Sequence, residues 1–130
     1  MNSHMKPLAL LLALLLGGDP CEGPVLEAPP FFVAGGDAIL VLSECPPNAP
    51  VLLVIGTRAC GIPYKGCEIV PCLDFGPFPF AVGPRGTLVL QAVTPKDTPP
   101  NLLAIFQFVV QDPGGPKGVR VSNAVAVLTL

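Results

Sequence analysis

The sequence predicts an all-β protein, an antiparallel immunoglobulin-like β-sandwich of seven or eight short strands that follows an N-terminal signal peptide. Short apolar segments rich in Val, Ile, Leu and Phe are separated by prolines and glycines, as is typical of strands joined by turns. The last two segments alternate apolar and polar residues with a period of two, which favours strand over helix. Residues 19–130 have the length of one such domain.

The N-terminal region has the pattern of a secretory signal peptide. Lys6 precedes an apolar run at residues 8–16, and small residues follow at Gly17 and Gly18. A run of nine residues is shorter than the roughly 20 that a helix needs to cross a bilayer. We therefore predict a signal peptide at 1–18, in which residues 1–4 are candidates for a cloning remnant, and one β-sandwich domain at 19–130.

Two alternatives to soluble export exist at this end of the protein. In the first alternative, the apolar run is a buried helix of the mature domain. In the second, Cys21 carries a lipid anchor. A lipid anchor is not expected, because the residue before Cys21 is Pro20, where a lipobox requires a small side chain. The prediction is a secreted or cell-envelope protein with no transmembrane span.

Charge and composition exclude several function classes. The net charge is −2 and no basic cluster is present, which argues against nucleic acid as a partner. The single histidine, His4, lies within the predicted signal peptide. The mature sequence therefore has no imidazole for a Ser-His-Asp or Cys-His pair or for a zinc or copper site. We expect no cofactor, no metal and no enzymatic activity.

The predicted strands differ in how they are buried. Residues 51–55 form a continuous apolar run, typical of a strand covered on both faces. Pro79 confines residues 78–82 to a sheet edge or a strand end. Residues 102–111 and 119–129 alternate and are predicted to be half-buried strands. The other predicted strands are residues 31–34, 38–43, 67–70 and 86–93.

Two polar residues of the C-terminal region are singled out by their surroundings. Asp112 opens the turn sequence at residues 112–116, where an Asp side chain accepts a hydrogen bond from the backbone two residues on. Asn123 lies on the apolar face of the last predicted strand, and its amide needs partners, for which the backbone of a neighbouring loop is expected. A ligand contact or a calcium site at Asp112 is the alternative, but no clustered carboxylates accompany it. We expect structural roles.

Aromatic residues provide a candidate docking patch. Phe75 and Phe78 lie in a segment with Phe80, and Tyr64 lies a little earlier. The favoured interpretation is that these side chains fill the core, because aromatic residues dominate burial in small cores. Any that remain exposed would form a protein-docking patch.

The stretch at residues 107–124, with Asp112-Pro113 and Ser122-Asn123-Ala124, resembles a signature of a family of exported bacterial β-domains. Such domains often form the C-terminal module of larger secreted proteins. The resemblance covers about residues 21–130, and Cys21 matches the cysteine that tends to open the domain. It implies an immunoglobulin-like fold but carries no known activity. The other cysteines at 45, 60 and 72 depart from the family pattern.

Five cysteines in an exported protein predict disulfides with one cysteine left over. If residues 51–55 and 67–70 form a hairpin joined by a loop at 57–66, Cys45 and Cys72 lie at the same end of it. The Cα atoms of a disulfide lie within about 7 Å, so this arrangement predicts a Cys45–Cys72 bond. The partner of Cys67 stays open between Cys60, by proximity, and Cys21, by the family resemblance.

These observations predict a non-catalytic secreted β-sandwich that acts as a structural or protein-interaction module with an extracellular or cell-envelope partner. The alternative is a small disulfide-bonded extracellular binder or inhibitor that uses the loop at residues 57–66. An enzyme is disfavoured because the carboxylates, lysines and tyrosine are sparse and scattered.

Overall fold

The structure, a computed structural model, describes residues 21–130, and the predicted signal peptide lies outside the described residues. Eleven strands and one 3₁₀ turn occur within this range. They are β1 (Val25–Glu27), β2 (Phe31–Phe32), β3 (Asp37–Ser43), β4 (Pro50–Gly56), β5 (Ala59–Tyr64), β6 (Cys67–Pro71), β7 (Phe75–Ala81), β8 (Leu88–Val93), β9 (Leu103–Gln111), the 3₁₀ turn (Pro116–Gly118), β10 (Val119–Val121) and β11 (Val125–Thr129).

The strands form a sandwich with one wide and one narrow sheet. The wide sheet has the order β2-β11-β9-β4-β7, with β10 also paired to β9, and the narrow sheet has the order β1-β3-β8. Strands β5 and β6 form a separate hairpin. The described pairs are antiparallel except for β2 with β11. The predicted all-β sandwich is confirmed, although the predicted strand number was too low.

The main core lies between the two sheets. It is built from alternate residues of each strand, because successive side chains of a strand point to opposite faces. Leu40 and Leu42 contribute from the narrow sheet, and Phe108 is fully buried at the centre of the wide sheet. Further buried members from the wide sheet are Phe32, Val51, Leu53, Phe106, Val110, Val125 and Val127.

Strand β9 is buried on both faces, so the prediction of a half-buried strand at residues 102–111 was wrong. The inner face belongs to the main core, while Val109 on the outer face packs with Ile69 and Val54 in a second cluster. The β5–β6 hairpin supplies this outer cover, since Ile69 lies on β6. The residue pattern of β9 does not predict this second cover, because the cover is formed by a distant segment of the chain.

The segment predicted as a loop at residues 57–66 forms most of that hairpin. Strand β5 pairs with β6 around a two-residue turn in which Lys65 and Gly66 both have positive φ, as a type I′ turn requires. Gly61 and Pro63 weaken the strand signal in the sequence. The predicted pairing of residues 51–55 with 67–70 was therefore wrong, and β4 instead lies between β7 and β9.

Residues 119–129 form two strands rather than the one predicted. Val121 pairs with Val109, but Val125 pairs with Phe106, so the C-terminal segment contains one extra residue relative to β9. Such a bulge reverses which face the odd positions occupy. Val121 consequently packs in the outer cluster, whereas Val125 packs in the main core. The odd positions do not form one continuous apolar face.

The disulfide pattern matches one of the two predicted alternatives for Cys67, its bond to Cys21, but differs from the prediction for Cys45 and Cys72. Within residues 21–130, Cys21 is bonded to Cys67 and Cys60 to Cys72, while Cys45 is free. Cys72 follows the end of β6, where Ala59 pairs with Pro71, so the hairpin brings Cys60 next to it. The Cys45–Cys72 prediction was wrong because it assumed that the segment containing Cys60 was a loop between two other strands.

Peptide mapping of the non-reduced protein should recover the Cys21–Cys67 and Cys60–Cys72 peptides. The two bonds have sequence separations of 46 and 12. Removing the first pair by Cys→Ala changes should cost about 4 kcal/mol and removing the second about 3 kcal/mol, by the loop-entropy model. Urea unfolding measures both costs. A peptide that links Cys72 to Cys45 would contradict the hairpin arrangement.

Candidate protein-docking surface

Strand β7 is an edge of the wide sheet and is exposed along its whole length. Three phenylalanines lie on it: Phe75 is 54% exposed, Phe78 is 43% exposed and Phe80 is 37% exposed. Large apolar side chains seldom gather on the surface of a soluble domain without a partner. The expectation that Phe75 and Phe78 fill the core was therefore wrong.

Two of these phenylalanines nevertheless lie on the inner face of the wide sheet. Phe80 pairs with Val51, and Phe78 pairs with Leu53, and both partners are buried in the main core. Residues directly opposite one another in a sheet share a face. Phe78 and Phe80 are exposed because the narrow sheet ends at β8 and leaves the inner face of β7 uncovered.

An apolar cleft of about 360 Å³ lies between the two sheets. Leu90 and Ala92 of β8 line it from the narrow sheet, and Leu53 and Phe80 line it from the wide sheet. Further lining comes from Phe32, Ala38, Leu40, Phe106 and the one polar residue, Gln91. Because none of these described lining residues is charged, the cleft is suited to apolar groups.

Strand β8 forms the edge of the narrow sheet that flanks the cleft. Among the described strands it pairs with β3 alone, so the hydrogen-bonding groups of its other side lack a strand partner there. Residues 87–94 contain neither proline nor a charged side chain. Natural proteins usually protect such an edge with a charge, a proline or a bulge.

Strand β7 differs from β8 in the chemistry of its edge. It contains Pro77 and Pro79, which have no backbone N–H to donate to another strand. The prediction that Pro79 lies at a sheet edge is confirmed. The open side of the sandwich thus combines one edge that can accept a strand with one that presents aromatic side chains.

Tyr64 is 37% exposed, so the expectation that it fills the core was wrong as well, and it lies apart from the three phenylalanines. It is at the tip of the β5–β6 hairpin, which covers the outer face of the wide sheet, whereas Phe78 and Phe80 lie on the inner face. The Lys65 Nζ lies 5.6 Å from the centre of the Tyr64 ring, within the range of a cation–π contact. The predicted docking patch is therefore divided between two faces.

Asp112 organises the turn between β9 and β10. Its Oδ1 accepts a hydrogen bond from the Gly114 N–H at 2.8 Å, and its Oδ2 accepts one from Arg120 Nε at 2.9 Å. Arg120 also donates to the carbonyl oxygens of Glu22 and Gly114. The carboxylate thus holds the arginine that connects this turn to the N-terminal segment of the domain.

Asn123 connects the two sheets at the bulge between β10 and β11. Its Oδ1 accepts a hydrogen bond from the Leu26 N–H at 2.8 Å, and its Nδ2 donates to the Leu26 carbonyl at 2.8 Å. The partner is strand β1 of the narrow sheet rather than the expected loop. The amide completes backbone hydrogen bonding that no described strand supplies there.

Gln107 has a comparable role on the outer face of β9, and the sequence pattern does not single it out. It is 2% exposed, and its Oε1 accepts a hydrogen bond from the Val70 N–H at 2.8 Å. Its Nε2 donates to the carbonyls of Ser122 at 2.8 Å and Glu68 at 3.3 Å. The signal in the sequence is a lone glutamine within an apolar segment, which period-two alternation assigns to the solvent-facing side.

Cys45 is half-buried after β3, and its thiol donates to the Ser43 carbonyl at 3.7 Å. Burial raises the pKa of this thiol from 9.0 to about 11, and the negative charge of Asp112 adds to the shift. A protonated thiol is a poor nucleophile. Cys45 therefore stays in its thiol form at neutral pH.

Metal ligands and membrane spans are not found in the described range. Among residues 21–130, no three His, Cys, Asp or Glu side chains are grouped in a way that would hold a metal ion. The same residues also include no helix with the length and hydropathy to cross a bilayer.

Comparison with known proteins gives distant structural similarity alone. No protein-family model matches the sequence, and no curated protein matches it. A superoxide reductase (neelaredoxin) from Ignicoccus hospitalis is 13% identical, with a TM-score of 0.48, over 83% of this chain and 80% of that one.

Two further solved structures are similar at the same level. The CARDB domain of a Pyrococcus furiosus protein, in complex with di-metal ions, is 12% identical, with a TM-score of 0.42, over 83% of this chain and 86% of that one. The PmoD soluble domain from Methylocystis sp. ATCC 49242 (Rockwell) is 14% identical, with a TM-score of 0.44, over 82% of this chain and 89% of that one.

Replacing Asn123 by Leu should lower the free energy of unfolding by about 1–3 kcal/mol, because the N–H and carbonyl of Leu26 would lose their partner. Urea unfolding of the variant measures this cost. Gln111→Leu is the matched control, since Gln111 is an exposed amide at the end of β9. Equal stability of the two variants would contradict the role of Asn123.

The raised pKa of Cys45 predicts a loss of stability at alkaline pH. The unfolded protein releases the thiol proton near pH 9.0, but the folded protein retains it up to about pH 11. The resulting stabilisation is complete below pH 9 and decreases as the pH rises toward 11. Urea midpoints measured across this range should fall more steeply for the wild type than for Cys45→Ser. Parallel pH profiles would refute this assignment.

Proposed function

We propose that this protein is an exported, non-catalytic β-sandwich module that binds another protein through its open edge, formed by β7 and β8. The observation that carries the proposal is the exposure of Phe78 and Phe80 on the inner face of the wide sheet. Exposed aromatic side chains beside an apolar cleft are typical of the centre of a protein interface.

Export is supported by two features of the protein. The signal-peptide pattern at residues 1–18 directs a protein out of the cytosol. Two disulfides join Cys21 to Cys67 and Cys60 to Cys72, and such bonds persist in oxidising compartments. The partner is accordingly an extracellular or cell-envelope protein.

A second candidate function uses the β5–β6 hairpin as the binding element of a small disulfide-bonded binder or inhibitor. The hairpin is largely exposed along β5, and the Cys60–Cys72 bond fixes its base. Restricted loops of this kind lose little conformational entropy on binding. Tyr64 at the tip would then be the main contact.

The two candidates are separated by binding measurements with matched variants. Wild-type protein is used to isolate partners from extracellular and envelope fractions, and each identified partner is then titrated against Phe78→Ser/Phe80→Ser, Tyr64→Ser and Phe31→Ser variants. Phe31 is 46% exposed at the opposite edge of the wide sheet and serves as the control.

We expect the double variant to weaken binding by about tenfold or more, as truncation of central aromatic contacts does. Loss of binding in Tyr64→Ser alone would favour the hairpin candidate. An identified partner that binds all three variants with unchanged affinity would contradict both candidates.

A further inference from the structure

We propose that the open edge accepts one extended segment of the partner protein, which adds to β8 as a fourth strand of the narrow sheet. This inference rests on the proposed function and specifies how the partner binds. It follows from the unequal widths of the two sheets, because a strand added next to β8 would cover the inner face of β7.

The hydrogen-bonding edge selects the backbone conformation of the segment. Strand β8 has six residues, Leu88–Val93, and among the described strands it pairs with β3 on one side alone. Neighbouring strands lie about 4.8 Å apart and bond through their main chains, so an extended peptide satisfies the free groups of β8. Strand β7 cannot take this role because of Pro77 and Pro79.

The cleft selects the side chains of the segment. Leu88 and Leu90 pack against the main core, and Ala92 lines the cleft, so alternate residues of β8 face inward. The residues opposite them on an added strand would face Phe78 and Phe80. Because no charged residue is among the described lining of the cleft, the segment needs apolar side chains at every second position.

For a segment that runs antiparallel to β8, the charge before β8 selects the residue at its C-terminal end. Arg85 is exposed in the turn just before β8, and the residues of β8 itself carry no charge. An added antiparallel strand would end beside Arg85, so a carboxylate that follows the apolar positions would lie near the guanidinium group. The partner is therefore an extended, alternately apolar segment followed by an acidic residue or by a C-terminal carboxylate.

A second copy of the domain does not fit the same edge. In a second copy, Leu88 and Leu90 of β8 already pack against that copy's own main core. They are therefore not available to cover Phe78 and Phe80 of this one. A single extended segment has no core of its own and can present its alternate side chains to the cleft.

A random nine-residue peptide library, selected on the purified full-length protein, tests the inference without assuming a partner sequence. We expect the selected peptides to alternate apolar residues and to end in an acidic residue or a free carboxylate. Hydrogen exchange should slow at the β8 amides when a selected peptide binds. Peptides that instead protect β5 and β6, or a library that yields no binder, would overturn the inference.

Matched variants then locate the contact. The dissociation constant of a selected peptide should rise about tenfold in Phe78→Ala or Phe80→Ala, as for a central aromatic contact, and less than about twofold in the Phe31→Ala control. Arg85→Glu should weaken binding, and replacing the acidic residue of the peptide by Lys should restore it. Equal effects of Phe31→Ala and Phe80→Ala would overturn the inference.

Two observations distinguish strand addition from other contacts. Two N-methylated versions of a selected peptide are compared, one modified at its odd residues and one at its even residues. Because alternate N–H groups of a strand point to opposite sides, one version should lose binding and the other should keep it. Equal binding of the two versions would overturn strand addition. Concentration-dependent dimers in sedimentation, with protection of β8 amides, would show that a second copy binds the edge instead.

Two results distinguish a failure of strand addition from a failure of the proposed function. If an identified protein partner loses affinity for the Phe78→Ser/Phe80→Ser variant while its binding leaves the exchange of β8 amides unchanged, the docking surface stands and strand addition is refuted. If the peptides bind β8 but no protein partner depends on Phe78 and Phe80, the proposed function is refuted.

Discussion

The burial of β9 on both faces is the constraint on which the rest of the structure depends. Its inner face packs against the narrow sheet, and its outer face requires a second cover. The β5–β6 hairpin provides that cover and is connected to the domain by Gln107 and by the Cys21–Cys67 bond. A glutamine buried without partners would be costly. Two of the three hydrogen bonds of Gln107 go to Glu68 and Val70 of β6, so they also fix where the hairpin lies, and the third goes to Ser122.

The C-terminal segment follows from the same constraint. Strand β10 packs under the outer cover, whereas β11 contributes to the main core, and one bulge reverses the face between them. Asn123 lies at that reversal and bonds to β1, so it joins the two sheets where the strand ladder is interrupted. Asn123 and Gln107, which are polar residues within apolar segments, are therefore the residues that connect layers.

The unequal widths of the sheets determine the surface chemistry. The narrow sheet covers the centre of the wide one but not its β7 edge, which leaves inner-face phenylalanines exposed and an apolar cleft beside them. Prolines protect the β7 edge from strand addition, whereas the sequence of β8 holds neither a proline nor a charge. The surface that the proposed function uses thus arises from what the fold leaves uncovered rather than from a cluster of reactive groups.

The sequence alone determined the all-β class, most of the strands and the edge position of Pro79, because period-two alternation and proline placement are local properties. The three-dimensional arrangement decided the disulfide pairing, the double burial of β9 and the exposure of Phe75 and Phe78. Each of these depends on which distant segments lie side by side. Strand β5 shows the difference, since Gly61 and Pro63 hide it in the sequence, yet its pairing with β6 places Cys60 beside Cys72.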